Sequence, residues 1–383
     1  MLQVRFTNKD MKKYKVGIIG CGRIAGYLED DPLRRRPCTH VGAYQRIPAV
    51  EVTACCSRST DNVKHFAQRF DIQRSYIDYR EMLAAEDFDI VSIATYAPSH
   101  CEITIAAAQH KVKGIFCEKA MATSLEEADK MITVCAEHDV VLSVNHTRRW
   151  ASDYVHAKAM IESGAIGRLQ SIQGTFSGNL LHTGVHMFDG MIFFAGEPDA
   201  VGGMLKDVEQ ESYKSSGYQF SDSIVSGEES DGDAYEESET DFDKKEDRDG
   251  VVTILFKNGV VGQAFGLGKK YFIFELDIQG TEGRIRIGNG LFEYWKMKKS
   301  KRYTNFRELQ LQTYRLPPQV APPLVLAVQD LIEAIETQRE TKCSGRVARK
   351  SFEIALAAYE SHDQGGVPIK LPLINQTLKV RSR

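Results

Sequence analysis

The chain has 383 residues, of which 42% are hydrophobic and 26% charged, a balance that excludes wholesale disorder and indicates two or three folded domains. Lysine and arginine (49) against aspartate and glutamate (52) give a net charge of −3, which excludes the basic excess expected of a nucleic-acid-binding protein. No apolar run approaches the roughly 20 residues of a membrane span, and residues 1–15 are polar and basic, so we expect a cytoplasmic protein.

The eight cysteines are scattered and form no CxxC pair, so the sequence predicts free thiols. Four of them lie in or beside apolar runs that are typical of buried strands: Cys21, Cys55, Cys56 and Cys117. Because a buried thiol behaves as a small hydrophobic group, we expect these four to be structural.

From Lys15 to Asn145, short apolar runs alternate with segments whose apolar residues recur every three to four positions. The predicted strands are residues 15–20, 50–56, 90–95, 114–117 and 140–144, and the predicted helices are residues 62–70, 100–110 and 124–138. Strands that are apolar on both faces and joined by helices form doubly wound parallel sheets. We therefore expect an α/β domain of this kind over residues 12–145.

The first predicted strand leads into Gly20-x-Gly22-x-x-Ala25, a motif that starts a helix in dinucleotide-binding proteins. Gly20 permits the tight turn, Gly22 lets the backbone approach a pyrophosphate, and Ala25 lets the helix pack closely on the strand. The amides at the helix start, which include Arg23 and Ile24, would then bind phosphate. The first domain is therefore predicted to be a dinucleotide-binding Rossmann domain.

The second predicted strand ends in Cys56-Ser57-Arg58, where NAD enzymes usually place an acidic residue on the ribose hydroxyls. Ser57 can donate a hydrogen bond and Arg58 can pair with a 2′-phosphate, so the sequence favours NADP over NAD. The alternative is a surface arginine beside a ribose site that accepts either cofactor.

Three consecutive arginines, residues 34–36, lie in a loop of residues 29–39 that lengthens the distance between the glycine motif and the second strand. Because guanidinium groups form forked hydrogen bonds with phosphate, Arg36 is a candidate ligand of a phosphorylated or nucleotide-linked substrate. A solvated loop whose arginines pair with the acidic residues 29–31 is an equal alternative.

The next two predicted strands end in polar residues at the edge of the sheet where open α/β proteins bind ligands. Thr95, Tyr96 and His100 follow one strand, and Glu118 and Lys119 follow the other. We expect Thr95, Tyr96, His100 and Glu118 to contact the cofactor, and Lys119 to act on the substrate. A lysine that is shielded from water beside a nicotinamide ring has a lowered pKa and can exchange a proton with a substrate hydroxyl.

After Trp150 the sequence predicts one helix and then mostly strands. The predicted strands are residues 169–176, 251–256, 260–267, 272–279 and 284–287, and the predicted helices are residues 152–163, 324–339 and 347–362. Asn258-Gly259 indicates a hairpin between two of the strands. We expect an α+β domain with a large, mostly antiparallel sheet over residues 146–383. No predicted helices cover both sheet faces, so one face is expected to pack against another copy in a homodimer or homotetramer.

One segment differs from the rest of the second domain in its composition. Residues 209–249 contain 15 acidic and 4 basic residues, so most of the negative charge of the chain lies there. Few aliphatic residues accompany these charges, which is typical of a solvated loop or disordered segment.

With these elements in order, the chain resembles the Gfo/Idh/MocA family of sugar and polyol oxidoreductases over almost its whole length. The motifs that carry the resemblance are Gly20 to Ala25, Thr95 to His100, Glu118-Lys119, Gly184-Val185-His186-Met187-Phe188-Asp189 and Tyr359-Glu360-Ser361. The resemblance implies that Lys119 lies at the nicotinamide and substrate and that His186 helps to move the hydroxyl proton. It also implies that Arg148 and Arg149, at the domain junction, lie where the chain turns into the substrate cleft and can anchor a hydroxyl or phosphate. Pairing with the acidic surface is an equal alternative for these arginines.

The sequence departs from the family pattern at three places. Ala120 replaces a proline that follows a cis bond; a non-proline cis bond costs about 2.5–4 kcal/mol, so either this bond is trans or packing holds it cis. His182 replaces an aspartate four residues before His186, which makes His182 a candidate proton-transfer partner. Tyr96-Ala97 replaces a proline-asparagine pair. His182 and His186 share a helix face, but no third ligand accompanies them, so we predict no metal site.

We therefore predict an NAD(P)-dependent enzyme that transfers a hydride between nicotinamide and a secondary hydroxyl of a sugar or cyclic polyol. The arginine loop favours a nucleotide sugar such as UDP-N-acetylglucosamine, in a reaction of the 3-dehydrogenase type. Two alternatives remain: a non-catalytic dinucleotide-sensing or interaction protein on the same fold, and a reductase of the dihydrodiol or bilin type.

Overall fold

The first half of the molecule is a six-stranded parallel sheet with helices on both faces, seen in a computed structural model that describes residues 13–206, 245–268 and 271–381. The strands are β1 (Tyr14–Ile19), β2 (Val50–Cys56), β3 (Arg74–Tyr76), β4 (Ile90–Ile93), β5 (Gly114–Cys117) and β6 (Val141–Val144). The helices are α1 (His40–Gln45), α2 (Thr60–Phe70), α3 (Tyr79–Ala85), α4 (Ala97–Gln109) and α5 (Leu125–Glu137). The strand order β3-β2-β1-β4-β5-β6 is that of a Rossmann fold, so the predicted sheet is confirmed.

The sequence predicts a helix directly after the glycine motif, but the structure has no continuous helix there. Residues 22–26 form turns that lead into a short 3₁₀ helix, Tyr27–Asp30. The amides of His40 and Val41 then bond to the carbonyls of Ile24 and Ala25, at 3.1 and 2.9 Å. Helix α1 therefore continues the helical hydrogen bonding of the glycine motif, and the intervening residues form a loop that leaves the helix and returns to it.

An acidic side chain closes that loop. Glu29 Oε1 accepts hydrogen bonds from the amides of Cys38 and Thr39 and from the Thr39 hydroxyl, at 2.7, 3.0 and 2.8 Å. Thr39 in turn accepts from the Gly42 amide and so caps the N-terminus of α1. The loop is thus a folded insertion held at its base rather than a simple extension of the chain.

The second half is built on a nine-stranded sheet in the order β15-β14-β13-β12-β7-β11-β10-β8-β16. Its elements in chain order are α6 (Ser152–Glu162), β7 (Leu169–Phe176), α7 (Val185–Ala195), β8 (Pro198–Leu205), β9 (Lys245–Glu246), β10 (Gly250–Phe256), β11 (Val261–Gly266), β12 (Phe274–Gly280), β13 (Gly283–Gly288), β14 (Leu291–Lys299), β15 (Arg307–Gln312), α8 (Pro323–Thr337), α9 (Gly345–Asp363), β16 (Ile369–Lys370) and β17 (Val380–Arg381). All neighbours in this sheet are antiparallel except β7 and β11, and β9 pairs separately with β17. The predicted large, mostly antiparallel sheet is therefore confirmed.

Helices cover one face of this second sheet. Helices α7 and α9 pack on each other and, together with α6, on the sheet. Close packing is visible at Gly174, where a Cβ would lie 2.3 Å from the sulfur of Met187. On β10, the residues that face the helices are buried, whereas Val251 and Leu255 on the opposite face are exposed.

The predicted hairpin between β10 and β11 is present, but only its glycine needs an unusual backbone. Gly259 has a φ of +83°, in the left-handed region that favours glycine. The Asn258 side chain donates to the Ala195 carbonyl and accepts from the Val260 amide, at 2.9 and 3.2 Å, which anchors the turn to α7.

The C-terminal helices also pack on the first sheet. Helix α8 contacts β5 and β6, and Gly114 leaves room there for Leu331 and Ile335. The Val144 amide bonds to the Cys343 carbonyl at 2.9 Å, next to the start of α9. The two halves of the molecule therefore share an interface close to the carboxyl end of β6.

All eight cysteines are free thiols and seven are buried, as predicted for Cys21, Cys55, Cys56 and Cys117. In the described part of the chain, no helix is both long enough and apolar enough to span a membrane. Most of the acidic segment 209–249 lies outside the described residues, and only its last five residues are described.

Candidate active site

The predicted cofactor residues lie at one edge of the parallel sheet. Strands β1, β2, β4 and β5 are parallel neighbours, so their carboxyl ends lie together. These ends carry the glycine turn, Ser57, Thr95 and Glu118-Lys119. The strand order reverses between β1 and β4, which is where such sheets bind their ligands.

The glycine turn is shaped to approach a ligand closely. Gly20 has a φ of +97°, and a Cβ there would lie 2.7 Å from the backbone of Ala94. A Cβ on Gly22, by contrast, would meet nothing within 4 Å among the described residues. Arg23 is exposed and Ile24 is half-buried beside this open space. The residues present therefore fit a pyrophosphate at this turn.

Ser57 and Arg58 differ in exposure at the end of β2. Ser57 is buried, and its hydroxyl accepts a hydrogen bond from Asn62 Nδ2 at 3.4 Å. Asn62 Nδ2 also donates to the carbonyl of Cys21, at 3.2 Å, which connects this pair to the glycine turn. Arg58 is exposed at the same edge of the sheet. The arrangement leaves Arg58, rather than Ser57, as the side chain that can reach a 2′-phosphate.

The predicted residues after β4 divide into surface and interior positions. Tyr96 is 54% exposed at the start of α4, and Thr95 accepts a hydrogen bond from the Ser99 hydroxyl at 2.8 Å. His100 is completely buried, with its two ring nitrogens 2.9 Å from the Ala120 carbonyl and 3.0 Å from the Thr95 carbonyl. The His100 side chain therefore joins the segments after β4 and β5 inside the protein, and its predicted contact with the cofactor stays a prediction.

Glu118 is likewise an interior residue, and its predicted role at the cofactor stays a prediction. It is 6% exposed, and its Oε1 accepts from His40 Nε2 at 2.9 Å and from Asn145 Nδ2 at 2.5 Å. Burial alone would raise the pKa of Glu118, but the hydrogen bond and charge of His40, with Lys119 and Asn145, lower that pKa to about 2. Glu118 is thus an ionised carboxylate that positions the chain immediately before Lys119.

Lys119 reaches across to the second half of the molecule. The Lys119–Ala120 peptide bond is cis, and Lys119 Nζ donates a 2.7 Å hydrogen bond to the backbone carbonyl of His182. Burial lowers the pKa of the Lys119 amine, while the carboxylates of Glu118 and Asp247 oppose that decrease. A lysine with one of its three donors held by the protein keeps the other two for a ligand.

His186 lies one helical turn after His182 and forms a pair with a second histidine. The Nδ1 atoms of His186 and His146 are 2.9 Å apart, and the two rings meet edge to face. Burial, followed by the charges of His146, Arg148 and Lys119, holds the pKa of His186 well below its ordinary value. Burial also lowers the pKa of His146 to about 4. Both rings are therefore neutral near pH 7, and one donates to the other.

The sequence missed a carboxylate that lies beside these groups. Asp247 accepts hydrogen bonds from the amides of Leu181 and His182, both at 3.0 Å, and from the Tyr359 hydroxyl at 3.0 Å. The His182 side chain, predicted to be a proton-transfer partner, is exposed, and its backbone makes the contacts with Lys119 and Asp247. No pattern in the sequence marked Asp247, because it is one of 15 acidic residues in segment 209–249 and nothing distinguishes it from the others.

The two junction arginines have different surroundings. The Arg148 guanidinium stacks on Phe274, 3.4 Å from the ring centre, and its charge lowers the pKa values of both Lys119 and His186. Arg149 is buried, and its Nε lies 2.8 and 2.9 Å from the two oxygens of Asp189. The charge of Arg149 is thus neutralised inside the protein by Asp189, and its predicted substrate role stays a prediction.

The arginine loop is only partly neutralised by its own acidic residues. Arg34 pairs with Asp31 at 3.1 Å, whereas Asp30 pairs with Arg69 of α2 at 2.7 Å. Arg36 is exposed and precedes Pro37 through a cis bond. The exposed Arg36 therefore remains a candidate phosphate ligand.

Three side chains at the histidine pair are grouped as the ligands of a metal ion would be. In the described ranges, His146, Asp189 and Cys343 place their ligand atoms within 4.8 Å of one another. Both oxygens of Asp189 already accept from Arg149, and His146 Nδ1 already meets His186. The buried ion pair and the histidine pair account for this grouping.

Comparisons with known proteins agree with this architecture. Residues 14–146 match the family described as an oxidoreductase family with an NAD-binding Rossmann fold, and residues 158–371 match its C-terminal alpha/beta domain. D-apiose dehydrogenase of Rhizobium rhizogenes is 29% identical over 369 residues, which is 93% of this chain and 97% of that protein.

Solved structures show the same fold. Levoglucosan dehydrogenase in complex with NADH and L-sorbose has a TM-score of 0.72 at 20% identity and covers 95% of this chain and 100% of its own. The WlbA dehydrogenase of Bordetella pertussis, in complex with NADH and UDP-GlcNAcA, has a TM-score of 0.69 at 20% identity, with 94% and 99% covered. The family match extends over both halves of the chain, so this protein belongs to the Gfo/Idh/MocA family of NAD-binding oxidoreductases.

Proposed function

We propose that this protein is a dehydrogenase that transfers a hydride between a nicotinamide cofactor and a secondary hydroxyl of a sugar or cyclic polyol, with Lys119 and His186 moving the hydroxyl proton. One observation carries the proposal. Lys119 Nζ, at the ligand-binding edge of the Rossmann sheet, bonds to the carbonyl of His182, one helical turn before His186. The amine of Lys119 and the imidazole of His186, which are far apart in the sequence, are therefore close enough for the charge of the amine to act on the ring.

The histidine pair can supply a base in the oxidation direction. Because the pKa of His186 is held well below its ordinary value, its ring is neutral and can accept a proton near pH 7. For Nε2 to be the accepting atom, Nδ1 of His186 must carry the other proton and donate it to Nδ1 of His146, 2.9 Å away. His146 would thus select the tautomer of His186 that removes the hydroxyl proton.

Lys119 can hold the substrate oxygen while the proton moves. The Lys119 amine has a lowered pKa because it is buried, so it shares a proton with a hydroxyl more readily than an exposed lysine does. Its bond to the His182 carbonyl restricts the direction of the amine. Arg148, whose charge acts on both Lys119 and His186, lies near enough to contact a hydroxyl or phosphate of the same substrate.

The cofactor would be held by the glycine turn and the ends of β2 and β4. Nicotinamide, when bound, supplies the hydride acceptor or donor. Gly22 leaves space for the pyrophosphate, and Arg58, Thr95 and Tyr96 lie at the same sheet edge. Asn145 Oδ1 is buried without a hydrogen-bond partner in the part of the chain that is described, so a carboxamide donor would satisfy it.

We favour NADP over NAD because Arg58 is exposed where the 2′-phosphate would lie. Arg58→Ala should weaken NADPH binding about tenfold, since a charge-assisted contact is worth about 1.5 kcal/mol or more, and should leave NADH binding unchanged. Fluorescence titration of both reduced cofactors measures this. Arg46→Ala is the control, because Arg46 follows α1 and precedes β2, at the opposite edge of the sheet. Equal losses for NADH and NADPH would contradict the preference.

Two substrate classes follow from different observations. The full-length similarity to D-apiose dehydrogenase favours a free sugar. The exposed Arg36, in the loop between the glycine motif and α1, favours a nucleotide sugar such as UDP-N-acetylglucosamine. The similarity in fold to WlbA, solved with UDP-GlcNAcA, agrees with this class.

The experiment is a substrate panel read at the absorbance of the reduced cofactor. Pentoses, hexoses, inositols, UDP-N-acetylhexosamines and a dihydrodiol are each incubated with NAD and with NADP, and we expect turnover with at least one sugar or polyol. Tight cofactor binding without turnover of any substrate would instead favour a dinucleotide-sensing protein. Turnover of the dihydrodiol alone would favour the reductase alternative.

We also propose that the open face of the second sheet packs against a second copy. Val251 pairs with Met204 and Leu255 pairs with Val261 across neighbouring strands, and all four side chains are exposed on that face. Exposed apolar pairs of this kind on one sheet face are typical of an interface. Light scattering after size-exclusion chromatography of the wild type should give two or four times the mass of one chain. The double variant Val251→Lys, Leu255→Lys should give the mass of one chain. A wild-type monomer would contradict this.

A further inference from the structure

One carboxylate near the end of the acidic segment, that of Asp247, contacts the candidate active site. Asp247 follows the two-residue strand β9, and its own carbonyl accepts a hydrogen bond from Asn179 Nδ2 at 2.7 Å. The Leu180 amide bonds to the carbonyl of Arg248 at 2.9 Å. Residues 247–248 therefore lie directly against the start of the π-helical turn Leu180–Gly184, which immediately precedes α7.

The Asp247 carboxylate caps this turn. Its Oδ1 lies 3.0 Å from the Leu181 amide, and its Oδ2 lies 3.2 and 3.0 Å from the amides of Leu181 and His182. Amides at the start of a helical turn have no partner within the turn, so a carboxylate there satisfies them and opposes their partial positive charge. The position of this turn thus depends on Asp247.

The same turn presents its carbonyl to Lys119. The amide of His182 donates to Asp247, and the carbonyl of His182 accepts from Lys119 Nζ at 2.7 Å. One residue therefore links the carboxylate to the amine. The charge of Asp247 also acts directly on Lys119, where it opposes the effect of burial on the amine.

A tyrosine from α9 fixes the carboxylate from behind. The Tyr359 hydroxyl accepts from the Arg248 amide at 2.6 Å, so its own proton is free to be donated to Asp247 Oδ1 at 3.0 Å. Tyr359 is completely buried. The carboxylate is thereby held between α9 and the turn that precedes α7, the helix that contains His186.

We propose that Asp247 is a positioning residue of this active site: it holds the Leu180–Gly184 turn against Lys119 and supports the protonated amine with its negative charge. The proposal rests on the function proposed above, because the role of Lys119 belongs to that function. Asp247 acts through His182 and Lys119 and does not itself touch the substrate.

The proposal predicts a pH dependence with a definite sign. Burial raises the pKa of Asp247 to about 6, against the opposing effects of the Leu181 amide, Tyr359, the His182 amide and Lys119. Arg248, the next residue along the chain, adds a positive charge nearby. Asp247 is therefore ionised above about pH 6, and its support of Lys119 is lost as the pH falls through that value. The histidine pair titrates lower, so neither His146 nor His186 accounts for an acid limb near pH 6.

Ionised Asp247 does not stabilise the fold by its charge. Its pKa is higher in the folded protein than in the unfolded chain, so folded-state stability falls as the pH rises from about 4 to about 6. Asp247→Asn removes the buried charge, but its NH₂ group replaces one accepting oxygen and faces an N–H or O–H donor. The Lys119 pKa, which a purely structural role would leave unchanged, is therefore the deciding measurement.

The first test needs neither cofactor nor substrate. In protein labelled with ¹³C-lysine, the Cε resonance of Lys119, identified by its absence in Lys119→Arg, reports the pKa of the amine. Asp247→Asn should lower that pKa by about one unit, since a nearby opposite charge is lost. The control is Glu246→Gln, which removes an exposed carboxylate from the adjacent position and should leave the Lys119 pKa unchanged. An unchanged Lys119 pKa in Asp247→Asn overturns the proposal.

The second test uses the best substrate of the panel. Asp247→Asn should lower kcat about tenfold, leave the dissociation constant of the cofactor within twofold, and abolish the acid limb near pH 6. If Asp247→Asn does not fold, Tyr359→Phe replaces it; loss of the hydroxyl donor should move the acid limb to higher pH. An acid limb that neither variant moves overturns the proposal. Absence of turnover in wild type would refute the proposed function alone, and the Lys119 pKa would still decide the role of Asp247.

Discussion

Lys119→Ala is expected to lower kcat by about 10²–10⁴-fold, the usual contribution of a positioned proton-transfer group. The amine follows the carboxyl end of β5 and is held by the His182 carbonyl, at the sheet edge where such folds bind their ligands. Affinity for the cofactor should change less than threefold, because the glycine turn and the end of β2 are untouched. Steady-state kinetics and a fluorescence titration of the reduced cofactor measure the two effects.

A lysine at the other end of the same strand provides the control. Lys113 immediately precedes β5 and forms an ion pair with Asp89 at 2.8 Å on the surface. Lys113→Ala should retain wild-type kcat, since this side chain lies at the opposite edge of the sheet. If Lys119→Ala kept more than a third of the activity, or lost cofactor affinity in proportion to kcat, the role assigned to Lys119 would be wrong.

The largest effect on stability is expected from the buried pair of Arg149 and Asp189. Asp189→Ala should reduce the free energy of unfolding by about 3–5 kcal/mol, because it leaves the Arg149 guanidinium buried without its counterion. Both oxygens of Asp189, which is 1% exposed, accept from Arg149. Urea denaturation followed by circular dichroism measures the change.

Two controls separate charge burial from loss of packing. The double variant Arg149→Met, Asp189→Leu removes both charges and should be more stable than Asp189→Ala, since no unpaired charge remains. Glu102→Ala breaks an exposed pair with Arg80 and should cost less than about 1 kcal/mol. A cost below 1 kcal/mol for Asp189→Ala, accompanied by a large rise in the KM for substrate, would support the predicted substrate role of Arg149.

Elements with a strong apolar pattern could be predicted from the sequence, and weakly patterned elements could not. β2, β5 and β7 begin and end at the predicted residues, because buried strands have uninterrupted or alternating apolar positions. Strand β3, at the sheet edge, is only three residues long and two of them are exposed, so it has no such pattern. Strands β14 and β15 were also missed: β15 is mostly polar, and β14 has five hydrophobic residues among nine, but neither strand has a fully buried position.

By itself, the sequence determined the parallel sheet, its glycine turn and the placement of Lys119, because these depend on residues that are close together in the chain and on the rule that parallel strands end at one edge. Only the tertiary structure decided which polar groups meet. Asp247 joins Lys119 through His182, Glu118 joins His40, and Arg149 joins Asp189. Such pairs form between segments far apart in the sequence, whose residues carry no periodic signal of one another. Their partners are set by how the two sheets and the C-terminal helices pack. The same packing buries the side chains of His100 and Glu118, which the sequence predicted to contact the cofactor.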